Sequence, residues 1–333
     1  MRLIKTIALT CLIVISLSFT LTGCESPQPF EFTQAPPLLP TQPPTRLEAI
    51  PDDVVKMTPS TDHHPPILHS DEYYPPIPME GSINTAGAED SPFISPDGNI
   101  FTFVFVPDVR VPHEKQLLDG VSGIYFTRRI DGVWAEPERI MLQEPGKVSL
   151  DGCQFLQGDE LWFCSAREGN YRGVDVWSAE YRGGNWLDWE NAGEQLNVEY
   201  EMGEFHFSPD WKTLYFHSDG EGGSGNYDIW ITHLVGGEWS QPENVREVNS
   251  DAHDSRPFVT QDGSELWITR TYLGTPGIFR SRLMGEGWSE PELILSQFAG
   301  EPTLDAEGNL YFIHHYIIDD EIIEADVYVA YLK

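Results

Sequence analysis

The chain has 333 residues, with 20 Lys and Arg against 53 Asp and Glu, and a formal net charge of −33. This charge excludes nucleic acid as a partner, because phosphate binding needs clustered basic side chains, and it argues against adsorption on anionic lipid. A chain of this length can bury a full core, so we expect it to fold without a metal or a cofactor.

The N-terminus has the pattern of an export signal. Arg2 and Lys5 precede an uncharged stretch from Thr6 to Thr22, and a positive start before a short apolar core is typical of such signals. The stretch ends in Leu21-Thr22-Gly23-Cys24, which resembles the bacterial lipobox. The resemblance implies a lipoprotein signal peptide over residues 1–23 and palmitate-type acylation of Cys24. We therefore expect an extracytoplasmic protein of the bacterial cell envelope, attached to the membrane through the lipid only; an uncleaved anchor is the alternative.

Lipidation can be tested at Cys24. Replacing Cys24 with Ala should abolish palmitate incorporation and release the protein from the membrane, because no thiol remains to be acylated. Radiolabelled palmitate and membrane fractionation measure both effects. A C24A protein that still takes up label and still pellets with membranes would refute the anchor.

Residues 24–71 are rich in proline and poor in large apolar residues. Such a composition cannot form a core of its own, and proline favours extended, semi-rigid chain. The sequence predicts a disordered tether that packs on nothing and holds the following domain away from the membrane.

From residue 72 onward the chain repeats itself. Five triplets recur at intervals of 52, 53, 49 and 49 residues: Gly123-Ile124-Tyr125, Asp175-Val176-Trp177, Asp228-Ile229-Trp230, Gly277-Ile278-Phe279 and Asp326-Val327-Tyr328. A tryptophan follows eleven residues after the start of each of the first four triplets: Trp134, Trp186, Trp239 and Trp288. Short aromatic and β-branched runs between Gly, Pro and Asp turns indicate about four strands per repeat. A period near 50 predicts an all-β fold, a five-bladed β-propeller over residues 72–333.

The repeats resemble those of a known family. The turn at Ser95–Gly98 returns at Ser208–Trp211, each before a strand such as Leu-Tyr-Phe, and Ser218–Trp230 and the Trp-x-x-Pro ending complete the motif. These features resemble the WD40-like β-propeller repeats of the TolB type. The resemblance implies the fold and leaves the function open, because such repeats occur in binding proteins, periplasmic scaffolds and enzyme domains alike.

The fifth repeat lacks its last strand. Eleven residues beyond Asp326 would be position 337, whereas the chain stops at Lys333. Tyr74 precedes Pro92 by 18 residues, just as Trp239 precedes Pro257. We therefore predict that residues 72–84 supply the missing strand, so that the N-terminal strand closes the last blade and the protein is a monomer.

Two cysteines remain in the predicted domain. Cys153 and Cys164 lie on neighbouring strands around a turn at Gly158-Asp159. Antiparallel pairing across that turn places them opposite each other. Outside the cytoplasm a cross-strand disulfide can form, although its geometry is demanding, and a reduced buried pair is the equal alternative.

The candidate site is the mouth of the predicted central channel, which the first strand of each blade lines. Aligning the repeats on their turns places five pairs there: Asp90-Ser91, Asp151-Gly152, Gly203-Glu204, Ser255-Arg256 and Gly300-Glu301. Asp90, Asp151, Glu204 and Glu301 would then surround Arg256, with His206 two positions after Glu204. Such a ring suits a polyhydroxylated ligand, a cationic peptide end or a metal, and a solvated mouth without a ligand is the alternative.

Two function classes follow. The first is a non-catalytic binding or scaffolding module for a protein or glycan ligand. The second is a glycoside hydrolase, because Asp90, Asp151 and Glu204 resemble in order the acidic residues that five-bladed hydrolases carry on the inner strands of blades one to three. That resemblance implies the roles of base, pKa-tuning group and acid, which glycoside hydrolysis requires. We favour the binding module, because Glu301 repeats the acid in blade five as a structural repeat would.

Overall fold

The computed structural model describes residues 44–285 and 287–333. The fold of these residues is all-β, with two short α-helices, α1 (Arg46–Ala49) and α2 (His113–Gln116), and a π-helical turn at Gln195–Glu199. The predicted signal peptide, Cys24 and residues 25–43 of the predicted tether lie outside the described residues. Among the residues described, none of the helices has the length and apolar character needed to cross a membrane.

Two short strands come first, and five antiparallel meanders follow them. The leading strands are β1 (Ile67–Leu68) and β2 (Ile77–Pro78). Meander 1 contains β3 (Ala88–Ile94), β4 (Ile100–Val106), β5 (Gly123–Ile130), β6 (Val133–Trp134) and β7 (Glu138–Arg139). Meander 2 contains β8 (Ser149–Gln157), β9 (Glu160–Arg167), β10 (Asp175–Arg182) and β11 (Asn185–Asn191).

The last three meanders have the same plan. Meander 3 contains β12 (Phe205–Phe207), β13 (Thr213–Ser218), β14 (Asp228–Val235), β15 (Glu238–Trp239) and β16 (Glu243–Asn244). Meander 4 contains β17 (Asp254–Val259), β18 (Glu265–Tyr272), β19 (Thr275–Met284), β20 (Gly287–Trp288) and β21 (Glu292–Ser296). Meander 5 contains β22 (Ala299–Leu304), β23 (Leu310–Ile318) and β24 (Glu321–Ala330).

The meanders lie in four sheets, because meanders 5 and 1 form one nine-stranded sheet. A single parallel pair, Ala325 with Ala88, joins them between β24 and β3. The five first strands, β3, β8, β12, β17 and β22, contact one another in chain order, and β22 also contacts β3. Each first strand therefore has two other first strands as neighbours.

The tryptophans at the eleven-residue spacing hold equivalent places. Trp134, Trp186, Trp239 and Trp288 each lie on a short strand that pairs with the third strand of its meander. The repeated Asp of the triplet is also equivalent between meanders: Asp228 accepts hydrogen bonds from the Ser224 and Gly225 amides, as Asp175 does from the two corresponding residues of meander 2. The sequence period therefore corresponds to one meander.

Alternation of side chains explains the packing between meanders. In β13, Leu214, Phe216 and Ser218 are buried while the residues between them are partly exposed, as a period of two requires. Aromatic rings fill the space between neighbouring meanders, and Trp162 of meander 2 lies 4.7 Å from Phe207 of meander 3 between ring centres. The core is therefore distributed between the meanders.

The N-terminal strands pair with the ends of meanders 4 and 5. In β2, Ile77 pairs with Val329 and Pro78 with Tyr328 of β24, and Tyr73 forms an isolated bridge with Leu332. This pairing lies within the range 72–84 that the sequence predicted for it. β1 pairs with β21 of meander 4, which the sequence did not predict.

Residues 44–71, which we call the strap, do not form the free tether that their composition predicted. Arg46 is buried, donates hydrogen bonds to the carbonyls of Ser82 and Ile83, and lies 3.4 Å from the Glu89 carboxylate. Further along, Lys56 pairs with Asp326 at 2.5 Å and Asp62 with His314 at 2.9 Å. The prediction was wrong for this part of the tether because charged side chains and the pairing of β1 with β21 attach the strap, and a proline-rich composition reveals neither.

Candidate functional site

A repeated β-bulge shapes the start of each first strand. The pairing with the second strand shifts by one residue after Asp90, Gly152, Ser255 and Gly300. The residue that follows has a positive φ in all four meanders: Ser91 (48°), Cys153 (51°), Arg256 (53°) and Glu301 (56°). A bulge leaves one residue outside the ladder and redirects its side chain. The four redirected residues lie close to Glu204 of meander 3.

These residues form part of the wall of one cavity. Its lining consists of three consecutive residues from each meander: 91–93, 153–155, 204–206, 256–258 and 301–303. The volume is about 50 Å³, which is enough for a few water molecules and far below the ~300–1,000 Å³ of typical ligand pockets. We call it the central cavity.

The alignment predicted from the turns is one residue out of register in meander 2. It placed Asp151-Gly152 at the mouth, whereas the bulge places Gly152-Cys153 there, and Phe155 lies beside His206. Cys153 is therefore a cavity residue that the sequence analysis did not identify as one. A Gly, Ser or Asp precedes the bulge in each of the four bulged meanders, and aligning the repeats on that residue would have given the correct register.

Arg256 connects the carboxylates around the central cavity. Its Nε lies 2.6 Å from Glu301 Oε1, and its Nη2 lies 3.2 Å from Glu204 Oε1. All three side chains are largely buried, with exposed fractions of 11% for Arg256, 17% for Glu204 and 6% for Glu301. One guanidinium therefore serves two acids from different meanders.

Burial raises the pKa values of the acids. The pKa of Glu204 rises to about 8, because loss of water outweighs the attraction of Arg256, and Glu301 and Asp90 add to the rise. Burial also raises the pKa values of Asp90 and Glu301, and Asp90 raises that of Glu301 further. Since one cation faces three buried acids, the cluster is stable only if protons neutralise part of its negative charge.

Asp151 does not belong to this cluster. Its carboxylate accepts hydrogen bonds from Ser149 Oγ at 2.7 Å and Ser165 Oγ at 2.6 Å, and it forms an ion pair with Arg167 at 2.7 Å. All of these partners lie in meander 2. Asp254 and Arg270 make the corresponding ion pair in meander 4. The structure thus brings together Glu204, His206, Arg256 and Glu301, with Asp90 buried beside them, and gives Asp151 partners inside its own meander.

Aromatic rings form the floor of the central cavity. The ring of His206 lies 4.7 Å from Phe155 and 4.6 Å from Phe258, edge to face in both cases. Phe93 lies 5.4 Å from Phe155. Burial in this aromatic setting lowers the pKa of His206 to about 3. The imidazole is therefore neutral at physiological pH and packs as an aromatic ring.

The neutral state of His206 predicts a pH dependence of stability. Below about pH 6.5 the unfolded chain protonates this residue while the folded chain does not, so the free energy of unfolding falls as the pH falls toward 3. His206→Phe should therefore make the decline between pH 6 and pH 4 shallower by up to ~1.4 kcal/mol per pH unit. Denaturant unfolding of both proteins at each pH measures this, because the other titrating groups are common to both. Parallel stability curves for the two proteins would contradict it.

Cys153 and Cys164 are both free and buried. The bulge pairs Gly152, not Cys153, with Cys164, so the two cysteines are diagonal neighbours and not directly opposite as the turn predicted. The pKa of Cys153 is raised well above its usual value, first by its hydrogen bond with Cys164 and then by burial. The structure therefore has the reduced pair, one of the two alternatives that the sequence left open.

Comparisons with known proteins bear on the fold. No protein-family model matches the sequence, and no curated protein matches it. TolB from Acinetobacter baumannii is 15% identical with a TM-score of 0.35, and the match covers 72% of this chain and 49% of that one. Bacteroides ovatus xyloglucan PUL GH43B is 12% identical with a TM-score of 0.48, and the match covers 76% of this chain and 53% of that one.

A xylan β-1,4-xylosidase from Bacillus halodurans C-125 gives a similar match, with 11% identity, a TM-score of 0.45, and coverage of 73% of this chain and 52% of that one. The chain thus spans about half the length of these three proteins. Its structural neighbours include both TolB-type propellers and glycoside hydrolase propellers. These matches do not distinguish a binding role from an enzymatic one.

Proposed function

We propose that this protein is a lipid-anchored, extracytoplasmic five-bladed β-propeller that acts as a non-catalytic binding module for a protein ligand. The contacts among the five first strands support the five-bladed arrangement, and the pairing of β2 with β24 supports closure by the N-terminal segment. Radial closure also removes the sheet edges that separate meanders would leave exposed. The lipid anchor rests on the sequence pattern that ends at Cys24.

The single observation that supports the non-catalytic role is the ion pairing of the carboxylates at the central cavity. Glu204 and Glu301 are bound to the same Arg256 guanidinium in a space of about 50 Å³. Hydrolysis would need a sugar ring between two free carboxylates. Asp151, the third acid that a hydrolase would use, is held by Arg167. These acids therefore serve to stabilise the ring of meanders.

The same geometry indicates the kind of ligand. A space of this size admits the tip of one side chain and excludes a sugar ring, which favours a protein over a glycan. Glu204 has the largest exposed fraction of the three linked side chains, and its carboxylate can accept a hydrogen bond from an ammonium or hydroxyl group. We therefore infer a partner that inserts one Lys, Ser or Thr side chain at the mouth.

The glycoside hydrolase remains the second candidate because of Glu204. A carboxylic acid with a pKa of about 8 is protonated at neutral pH, as a general acid must be. Perturbed pKa values of this kind occur at catalytic sites and also in structural ion-pair networks. The ion pair with Arg256 at 3.2 Å and the small cavity favour the structural explanation.

Selection of peptides and glycans on the purified protein tests the proposal. Phage-displayed peptides that bind should share a Lys, Ser or Thr. At pH 9, above the Glu204 pKa of about 8, Glu204→Gln should weaken their binding about tenfold, because the charged acceptor is lost. Glu238→Gln, a change at an exposed acid that lines neither the central cavity nor the cavity between meanders 1 and 5, is the matched control and should leave binding unchanged. A glycan-array ligand whose binding depends on Glu204, with no peptide selected, would refute a protein ligand.

A further inference from the structure

A second cavity lies between meanders 1 and 5, and we call it the lateral cavity. Its volume is about 300 Å³, six times that of the central cavity, and the two share no lining residue. One wall is β2 and the residues that follow it, and β6 forms the other. The apolar and aromatic side chains that line it include Ile77, Met79, Val133, Trp134, Tyr311 and Val329. A cavity of this volume and lining lies within the range of small-molecule sites.

Part of this apolar lining is exposed to solvent. Val133 is 67% exposed and Ile77 is 43% exposed, although both are β-branched residues that a fold usually buries. Both line the lateral cavity, Ile77 on β2 and Val133 on β6. An apolar ligand between them would remove this surface from water, which stabilises a complex in proportion to the apolar area covered.

Arg129 provides the polar contact of the lateral cavity. It belongs to β5, and its guanidinium carbon lies 4.6 Å from the centre of the Trp134 ring. Over residues 44–285 and 287–333, no hydrogen bond or ion pair satisfies this guanidinium, and its Nε is shielded from water. By contrast, Arg46, Arg256 and Arg280 all pair with carboxylates. The chain has 53 acidic residues, yet among the described residues none pairs with Arg129. Its guanidinium can therefore bind an anion from a ligand.

The acidic side chains near the lateral cavity do not form an ion pair with Arg129 in the described part of the chain. Glu80 lines the cavity and is exposed, without an ion pair to Arg129 among the described residues. Asp305 lies near Tyr311, but its carboxylate already accepts hydrogen bonds from the amides of Glu307 and Asn309 at 3.0 Å and from the Tyr311 hydroxyl at 3.2 Å. The anion that Arg129 can bind must therefore come from a ligand.

We propose that the lateral cavity binds a small apolar carboxylate. Its apolar body packs between Ile77, Val133 and Trp134, and its carboxylate takes two parallel hydrogen bonds from Arg129. A planar guanidinium stacked on an aromatic ring is held in one orientation, and its fork matches the two oxygens of a carboxylate. Free fatty acids and the C-terminal residue of a peptide both have this chemistry.

Titration calorimetry of the purified protein with matched probes tests the proposal. The probes are octanoate against octanamide, and an acetylated pentapeptide ending in Leu with a free or an amidated C-terminus. The acid of at least one pair should bind ten or more times as tightly as its amide, because only the acid pairs with Arg129. Binding of octanoate alone identifies a free acid as the source, and binding of the peptide alone identifies a peptide end.

Variants assign the binding to Arg129. Arg129→Met should abolish the difference between acid and amide, whereas Arg128→Met, a change at the exposed neighbouring arginine, should preserve it. Val133→Asp, at an exposed position, should weaken binding of the acid at least tenfold by charge repulsion and is not expected to disturb folding. Equal affinities for acid and amide, an Arg128→Met loss as large as that of Arg129→Met, or no binding of any probe at millimolar concentration would overturn the proposal.

Discussion

Arg256→Met should lower the free energy of unfolding by about 3–5 kcal/mol, the usual effect of removing one partner from a buried ion pair. The reason is that Glu204 and Glu301 keep their positions and lose their shared cation. The loss should be larger at pH 8 than at pH 5, because protonated acids no longer need the guanidinium, and burial already raises their pKa values. Denaturant unfolding at both pH values measures the effect.

A compensated variant separates this electrostatic explanation from simple loss of packing. In Arg256→Met/Glu204→Gln/Glu301→Gln no unpaired charge remains on these three side chains, so more than half of the lost stability should return. A triple variant as unstable as Arg256→Met would show that Arg256 acts through its packing and not through its charge.

The second large effect is expected at Arg46 of the strap. Arg46→Met should destabilise the protein by about 3–5 kcal/mol, because Glu89 loses its cation and two buried carbonyls lose their donors. Burial raises the pKa of Glu89 to about 7 even with Arg46 in place. The guanidinium also lies 5.3 Å from the centre of the Phe103 ring, so a charge-neutral replacement loses that contact too. Thermal and denaturant unfolding measure the change.

Arg110 is the matched control for Arg46. It also connects the strap to meander 1, through Asp53, but both side chains are exposed. Exposed ion pairs contribute little, so Arg110→Met should leave the unfolding midpoint unchanged. If Arg46→Met were as mild as Arg110→Met, the strap would be attached only loosely and the tether predicted from composition would be the better description.

The sequence predicted the repeat and its strands because both depend on local pattern. Turn residues and the period of two determine where a strand begins and which face is buried. The spacing of Trp239 and Tyr74 also located the N-terminal segment that pairs with β24. The strap escaped prediction because its attachment depends on Arg46 and Lys56, whose partners Glu89 and Asp326 are distant in sequence.

The site was predicted only in part, because the sequence does not reveal the strand register at the β-bulges. Glu204, Arg256 and Glu301 line the central cavity, and their role as ligand-binding residues stays a prediction. A β-bulge adds one residue to a strand without changing its hydrophobic pattern, and this is why Asp151 was placed at the mouth where Cys153 lies. The shared guanidinium and the small volume depend on side-chain packing between meanders, which one sequence does not reveal.

The most direct test of a non-catalytic role is hydrolysis by the purified protein. A panel of chromogenic glycosides and plant and bacterial polysaccharides should be incubated with the wild type and with Glu204→Gln, and the released sugar measured. A binding module predicts no release above the level of the variant with any substrate. Hydrolysis by the wild type that falls ~10²–10⁴-fold in Glu204→Gln, with substrate binding retained, would contradict that role and identify Glu204 as a general acid.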